Sequence, residues 1–92
     1  MDELDGEWEV RRVSGMLPPL YGVRKRINGG TGETMLGPLN SPFDVVGREL
    51  RYRGFVTRGL VDEVEPDGDG WRGIARYRGR PIGRFAMRRV VP

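Results

Sequence analysis

Ninety-two residues with 37% apolar and 32% charged side chains describe one soluble domain with one modest core, and leave no room for a catalytic domain with a regulatory partner. The absence of cysteine and histidine excludes disulfides, thiolate or imidazole metal ligands, cysteine nucleophiles and a Ser-His-Asp triad. The net charge of +3 is uneven: residues 1–47 carry 5 basic and 7 acidic side chains, residues 48–92 carry 11 and 6.

Fifteen glycines and seven prolines interrupt the chain too often for long helices, and no stretch sustains a helical period. In Gly6-Glu7-Trp8-Glu9-Val10, continuing to Val13, Trp8, Val10 and Arg12 share one face and Glu7, Glu9 and Arg11 the other, which predicts a first strand. Ser14 to Leu20 cannot stay in a ladder, because Pro18 and Pro19 lack amide donors. Its apolar side chains make it a sticky loop. Alternation resumes from Tyr21 to Ile27 and places Lys25, the one lysine, on the apolar face with Tyr21, Val23 and Ile27.

Asn28 to Gly32 reads as a turn, Glu33 to Leu36 as a short strand, and Gly37 to Pro42 as a second proline-bearing loop. Phe43 to Val46 and Glu49 to Arg53 flank Gly47-Arg48 as a hairpin. Phe55 to Glu65 is the longest predicted strand, with a bulge or bend at Gly59, and puts Arg58 and Asp62 on the face of Val56, Leu60 and Val64. The acidic turn Pro66-Asp67-Gly68-Asp69-Gly70 joins it to Trp71–Arg78, and Gly79-Arg80-Pro81 leads into a closing strand from Ile82 to Val91.

Short turns between successive strands predict an all-β fold, an antiparallel meander of about seven or eight strands over residues 1–92. Such a sheet removes its edges by closing, or nearly closing, into a small up-and-down barrel; a dimerised open sheet is the alternative.

The stretch Leu4-Asp5-Gly6-Glu7-Trp8 resembles the opening of lipocalin and wider calycin barrels, whose first strand carries a Gly-x-Trp signature. The resemblance covers roughly the first ten and last ten residues. It implies that Trp8 lies across the barrel base and packs against an arginine near the last strand, here Arg88 or Arg89, with Gly6 beside it. It also implies a non-catalytic barrel for a small apolar or amphipathic ligand, anionic if the inward cations select it, with the Met16–Leu20 loop and Tyr21 as portal. The residues assigned to that ligand are Met16, Leu17, Leu20, Tyr21, Lys25 and Arg58. The alternative is a structural or protein-interaction β-domain acting as a homodimer.

Polyanion or nucleic-acid binding ranks lower. Arg72, Arg76 and Arg78 share a face, as do Arg84 and Arg88, and Tyr52 and Tyr77 offer stacking rings, but Glu63, Glu65, Asp67 and Asp69 stand close enough to neutralise the stripe. For catalysis, Asp44, Asp62 and Glu63 with Tyr52 or Tyr77 are the available acid–base groups, at no convincing spacing. Asp67-Gly68-Asp69-Gly70 lacks the later glutamate of a calcium loop, and Gly29-Gly30-Thr31-Gly32 lacks the lysine of a phosphate loop. No cofactor or metal is expected. The acidic start and the lack of a long apolar run point to a cytoplasmic protein without membrane insertion.

Overall fold

The computed structural model describes residues 3–17, 22–55 and 57–90. Eight strands, β1 (Gly6–Gly15), β2 (Arg24–Asn28), β3 (Thr31–Leu36), β4 (Leu39–Val46), β5 (Glu49–Tyr52), β6 (Leu60–Asp67), β7 (Gly70–Tyr77) and β8 (Arg80–Arg89), follow in that order. Each pairs antiparallel with its neighbour, and β8 returns to β1 to complete a closed barrel. The seam sets Trp8 opposite Arg89, Val10 opposite Met87 and Arg12 opposite Phe85, with a bulge between Arg12 and Ser14. Closure leaves no sheet edge for an open-sheet dimer to use.

Alternation places the core. Trp8, Val10, Ile27, Phe43, Leu50, Val64, Trp71, Phe85 and Met87 point inward and are buried. Two of the inward glycines are each covered by the phenylalanine paired with it on the next strand. Gly32 faces Phe43 and Gly73 faces Phe85. A Cβ on Gly32 would lie 2.7 Å from the Phe43 ring, and one on Gly73 would collide with the Phe85 ring. The missing side chains make room for rings that lean across the neighbouring strand.

Several expectations shift, and β1 runs on through Ser14 and Gly15, which pair with Arg84 and Gly83. The Gly37–Pro42 loop shrinks to a turn at Gly37-Pro38, and Pro42 enters β4 opposite Glu33. Its carbonyl accepts from the Arg53 amide (3.0 Å), just past the end of β5, so its missing N–H falls where the adjoining strand has stopped. Gly59 does not form a bulge within a long strand. It adopts φ +93°, ends the β5–β6 connection and lets β6 begin at Leu60, which leaves Arg58 exposed in that connection. Arg12 leaves the inner face at the barrel rim, where its guanidinium donates to the Leu17 carbonyl (3.2 Å).

The chain enters and leaves the barrel at one end, called here the terminal end. That end also carries the β2–β3, β4–β5 and β6–β7 turns, and the other four connections lie at the opposite, distal end.

Candidate functional site: a buried polar set in the barrel

At the terminal end, Leu4 and Asp5 cross the barrel base. The indole Nε1 of Trp8 donates to the Leu4 carbonyl at 2.8 Å, and the Gly29 amide donates to Asp5 Oδ1 at 3.0 Å. The Arg89 guanidinium lies 4.3 Å from the centre of the indole and donates to the Asp5 carbonyl at 3.1 Å. Arg88 stands opposite Glu9 and is exposed. Gly6 has a reason to be glycine: its φ is +134°, and a Cβ there would occupy the place of an Arg89 guanidinium nitrogen. The Gly-x-Trp spacing therefore builds a base in which one residue yields space and the next but one supplies the surface that the arginine covers.

The distal half of the interior is chemically different. Lys25, from the first turn-side residues of β2, is 3% exposed, and its ammonium makes three short contacts. It donates to Thr34 Oγ1 at 2.7 Å and to the Tyr52 hydroxyl at 2.6 Å, and pairs with Asp62 Oδ2 at 3.1 Å. Thr34 and Tyr52 hydroxyls lie 2.5 Å apart, and Tyr52 donates to Asp62 Oδ2 at 3.2 Å. The Phe43, Tyr52 and Phe85 rings surround the ammonium with centroids 5.2 to 5.6 Å away. All three ammonium donors are thus used, and the charge is met by one carboxylate.

Burial works against the Lys25 ammonium, but the attraction of Asp62 and Tyr52 and their hydrogen bonds outweigh it and hold its pKa above the ordinary lysine range. Burial pushes the Tyr52 phenol up as well, which the nearby ammonium only partly counters. At neutral pH Lys25 is therefore an ammonium and Tyr52 a neutral phenol. Lys25 and Asp62 are buried, whereas Thr34 and Tyr52 are only half-buried. By strand position the set lies toward the distal connections, and its two hydroxyl residues are its less covered members.

The residues assigned to a ligand fall in different places. Lys25 is central to the set. Leu17 packs against the core over Gly83, where a Cβ would lie 2.5 Å from its Cγ. Its neighbour Met16 is 89% exposed and tied by its amide to the Ile82 carbonyl at 2.7 Å. Arg58 is exposed in the β5–β6 connection and forms no ion pair among the described residues, and the cation that meets Asp62 is Lys25. Leu20 and Tyr21 lie outside the described residues. Thr34 carries no signal in the sequence beyond its period-2 alternation with Gly32, and Tyr52 and Asp62 stand out there only among acid–base groups at no convincing spacing, although Tyr52 also alternates with Leu50.

On the outer wall, the acidic and basic residues expected to neutralise each other do so in part, through Arg72–Glu65 and Arg76–Glu63 pairs at 2.6 Å. A groove of about 580 Å³ crosses this wall, with Val13, Ile74 and Ala86 between the carboxylates of Glu63 and Glu65 and the guanidinium of Arg84. Among the described residues no three metal-ligating side chains come together, and no helix is long and apolar enough to cross a membrane. No family model, curated protein or solved structure matches this chain.

Proposed function

We propose that the protein is a non-catalytic, calycin-like binding barrel that takes one small amphipathic molecule at its distal end, the polar group of that molecule resting on the Thr34 and Tyr52 hydroxyls. The observation that carries this reading is the Lys25–Thr34–Tyr52–Asp62 set itself. In a barrel this small, apolar side chains of similar volume would fill the same space at equal or greater stability. A charged, hydrogen-bonded set with two half-buried hydroxyl residues has a use in offering donors and acceptors to something else. Because Asp62 already meets the Lys25 charge, the set suits a neutral head, such as an amide, alcohol or carbonyl, better than an anion.

Native mass spectrometry of freshly purified protein, with titration of the neutral fluorescent amphipath N-phenyl-1-naphthylamine, tests this. Saturable one-to-one binding is expected, weakened about fivefold in Tyr52→Phe, which loses a hydrogen bond of ~1 kcal/mol. Absence of both a co-purified mass and probe binding would end the proposal. The outer groove favours a second reading, a protein-interaction surface used by a second copy of this chain, and the same spectrum would then show the doubled mass.

A further inference from the structure

Charge and apolar exposure are both sorted along the barrel axis. Residues 10–32, 34–43, 50–61 and 70–92 contain no Asp or Glu, so none of the four distal connections carries an acid. The acids cluster before and early in β1, on β3, and around the β4–β5 and β6–β7 turns, all toward the terminal end, with Asp62 held inside the barrel. Arg12, Arg58, Arg78 and Arg80 stand on or beside the distal connections, and none of them forms an ion pair among the described residues.

The same end carries the exposed apolar side chains. Met16 is 89% exposed, Phe55 92%, Leu39 69%, Leu36 49% and Tyr77 44%. Among the described residues, Val46 is the one large exposed apolar side chain of the terminal end. Leu36 and Leu39 face each other across the turn at Gly37-Pro38 and form its tip. Leaving leucine, methionine and phenylalanine in water on loop tips, rimmed by unpaired arginines, is the arrangement that suits a surface with phosphates above hydrocarbon.

We infer that the distal end docks on an anionic phospholipid surface, with the loop tips entering the acyl boundary and the arginines at phosphate level. Arginine suits this level, since its apolar stem follows the tips while its guanidinium stays with the phosphates. Nucleic acid fits the same charge but not the same side chains: Leu36, Leu39 and Met16 have no base to stack on, and the rings at this end are Phe55 and Tyr77. The docking does not depend on the barrel holding a ligand, although the end that docks is the end nearer the polar set.

Co-sedimentation with vesicles of phosphatidylcholine alone, and of phosphatidylcholine with phosphatidylglycerol, tests the inference on the intact chain. Binding is expected only with phosphatidylglycerol and should fall as salt is raised. Leu39→Ser with Phe55→Ser should weaken it by at least about tenfold, and Arg58→Gln and Arg78→Gln by about fivefold each. Val46→Ser, at the opposite end, should leave it unchanged. All these side chains are exposed or loop-borne, and an unchanged far-ultraviolet spectrum and melting curve would establish that the variants fold. No sedimentation, equal sedimentation with phosphatidylcholine, or equal losses in Val46→Ser would overturn the inference. So would insensitivity to Leu39→Ser and Phe55→Ser with displacement by an oligonucleotide, which would mark a polyanion site. Binding of N-phenyl-1-naphthylamine in the absence of vesicles should survive the tip substitutions, so the two proposals fail separately.

Discussion

Lys25 and Asp62 stand or fall together. Removing one member of a buried pair leaves the other charge bare, so Lys25→Met is expected to cost about 3–5 kcal/mol, measured by urea denaturation. Replacing both, Lys25→Met with Asp62→Leu, should recover most of that loss. The pair also sets a pH dependence. Folded Lys25 and Tyr52 hold their protons above the ordinary values of 10.5 and 10.0, so the unfolded chain releases them first as pH rises. Stability is therefore fully present below about pH 10 and declines as pH climbs from there through the raised folded-state values. The double substitution should remove the Lys25 share of that decline and leave the Tyr52 share, which comes first from burial. At the barrel base, Gly6→Ala forces a side chain into the Arg89 guanidinium at φ +134° and should cost about 1–3 kcal/mol. Alternation was enough to put Lys25 on the apolar face, but its partner lies 37 positions along the chain by subtraction of the residue numbers. Only closure of the sheet brings the two together, and the local pattern carries no sign of it.

Among the elements, β3 and β7 work by omission. Each leaves an inward glycine beneath a ring from the strand after it, and those rings form two walls around the Lys25 ammonium. Gly73→Ala should displace Phe85, cost about 1–3 kcal/mol by denaturant unfolding, and loosen the polar set without touching any of its members. Glycine in a sequence signals a turn more readily than a strand, which is why Gly32 was assigned to the turn before β3 although it pairs with Phe43 inside the sheet. Pro42 misled for a related reason. A proline argues against a strand unless its missing donor has nowhere to go, and that condition depends on where β5 ends, a fact of tertiary pairing absent from the local pattern. Strand faces fared better, because core alternation survives changes in element boundaries: Trp8 and Val10, Leu50 and Tyr52, and Phe85 and Met87 all share the faces that their spacing assigns.

At the scale of the whole molecule, every pairing but one joins neighbours in the chain, and that one joins its two ends. Long-range closure costs more chain entropy than hairpin formation, so the β1–β8 seam should form after the β6–β7 hairpin. Arg89→Ala is then expected mainly to speed unfolding, whereas Gly73→Ala should slow folding, a contrast that stopped-flow chevron plots would reveal. Closure itself was readable from two short signals at opposite ends of the chain, Gly6-Glu7-Trp8 and the arginines near the finish, because both serve one contact. The same seam brings the Val90 amide to the Glu7 carbonyl at 2.9 Å, so the first and last strands run side by side at the terminal end. The order in which the strands are synthesised is therefore separable from the barrel they make: a short linker joining the present ends, with new ends cut at Gly68-Asp69, would give a circular permutant that keeps the polar set and the distal rim intact.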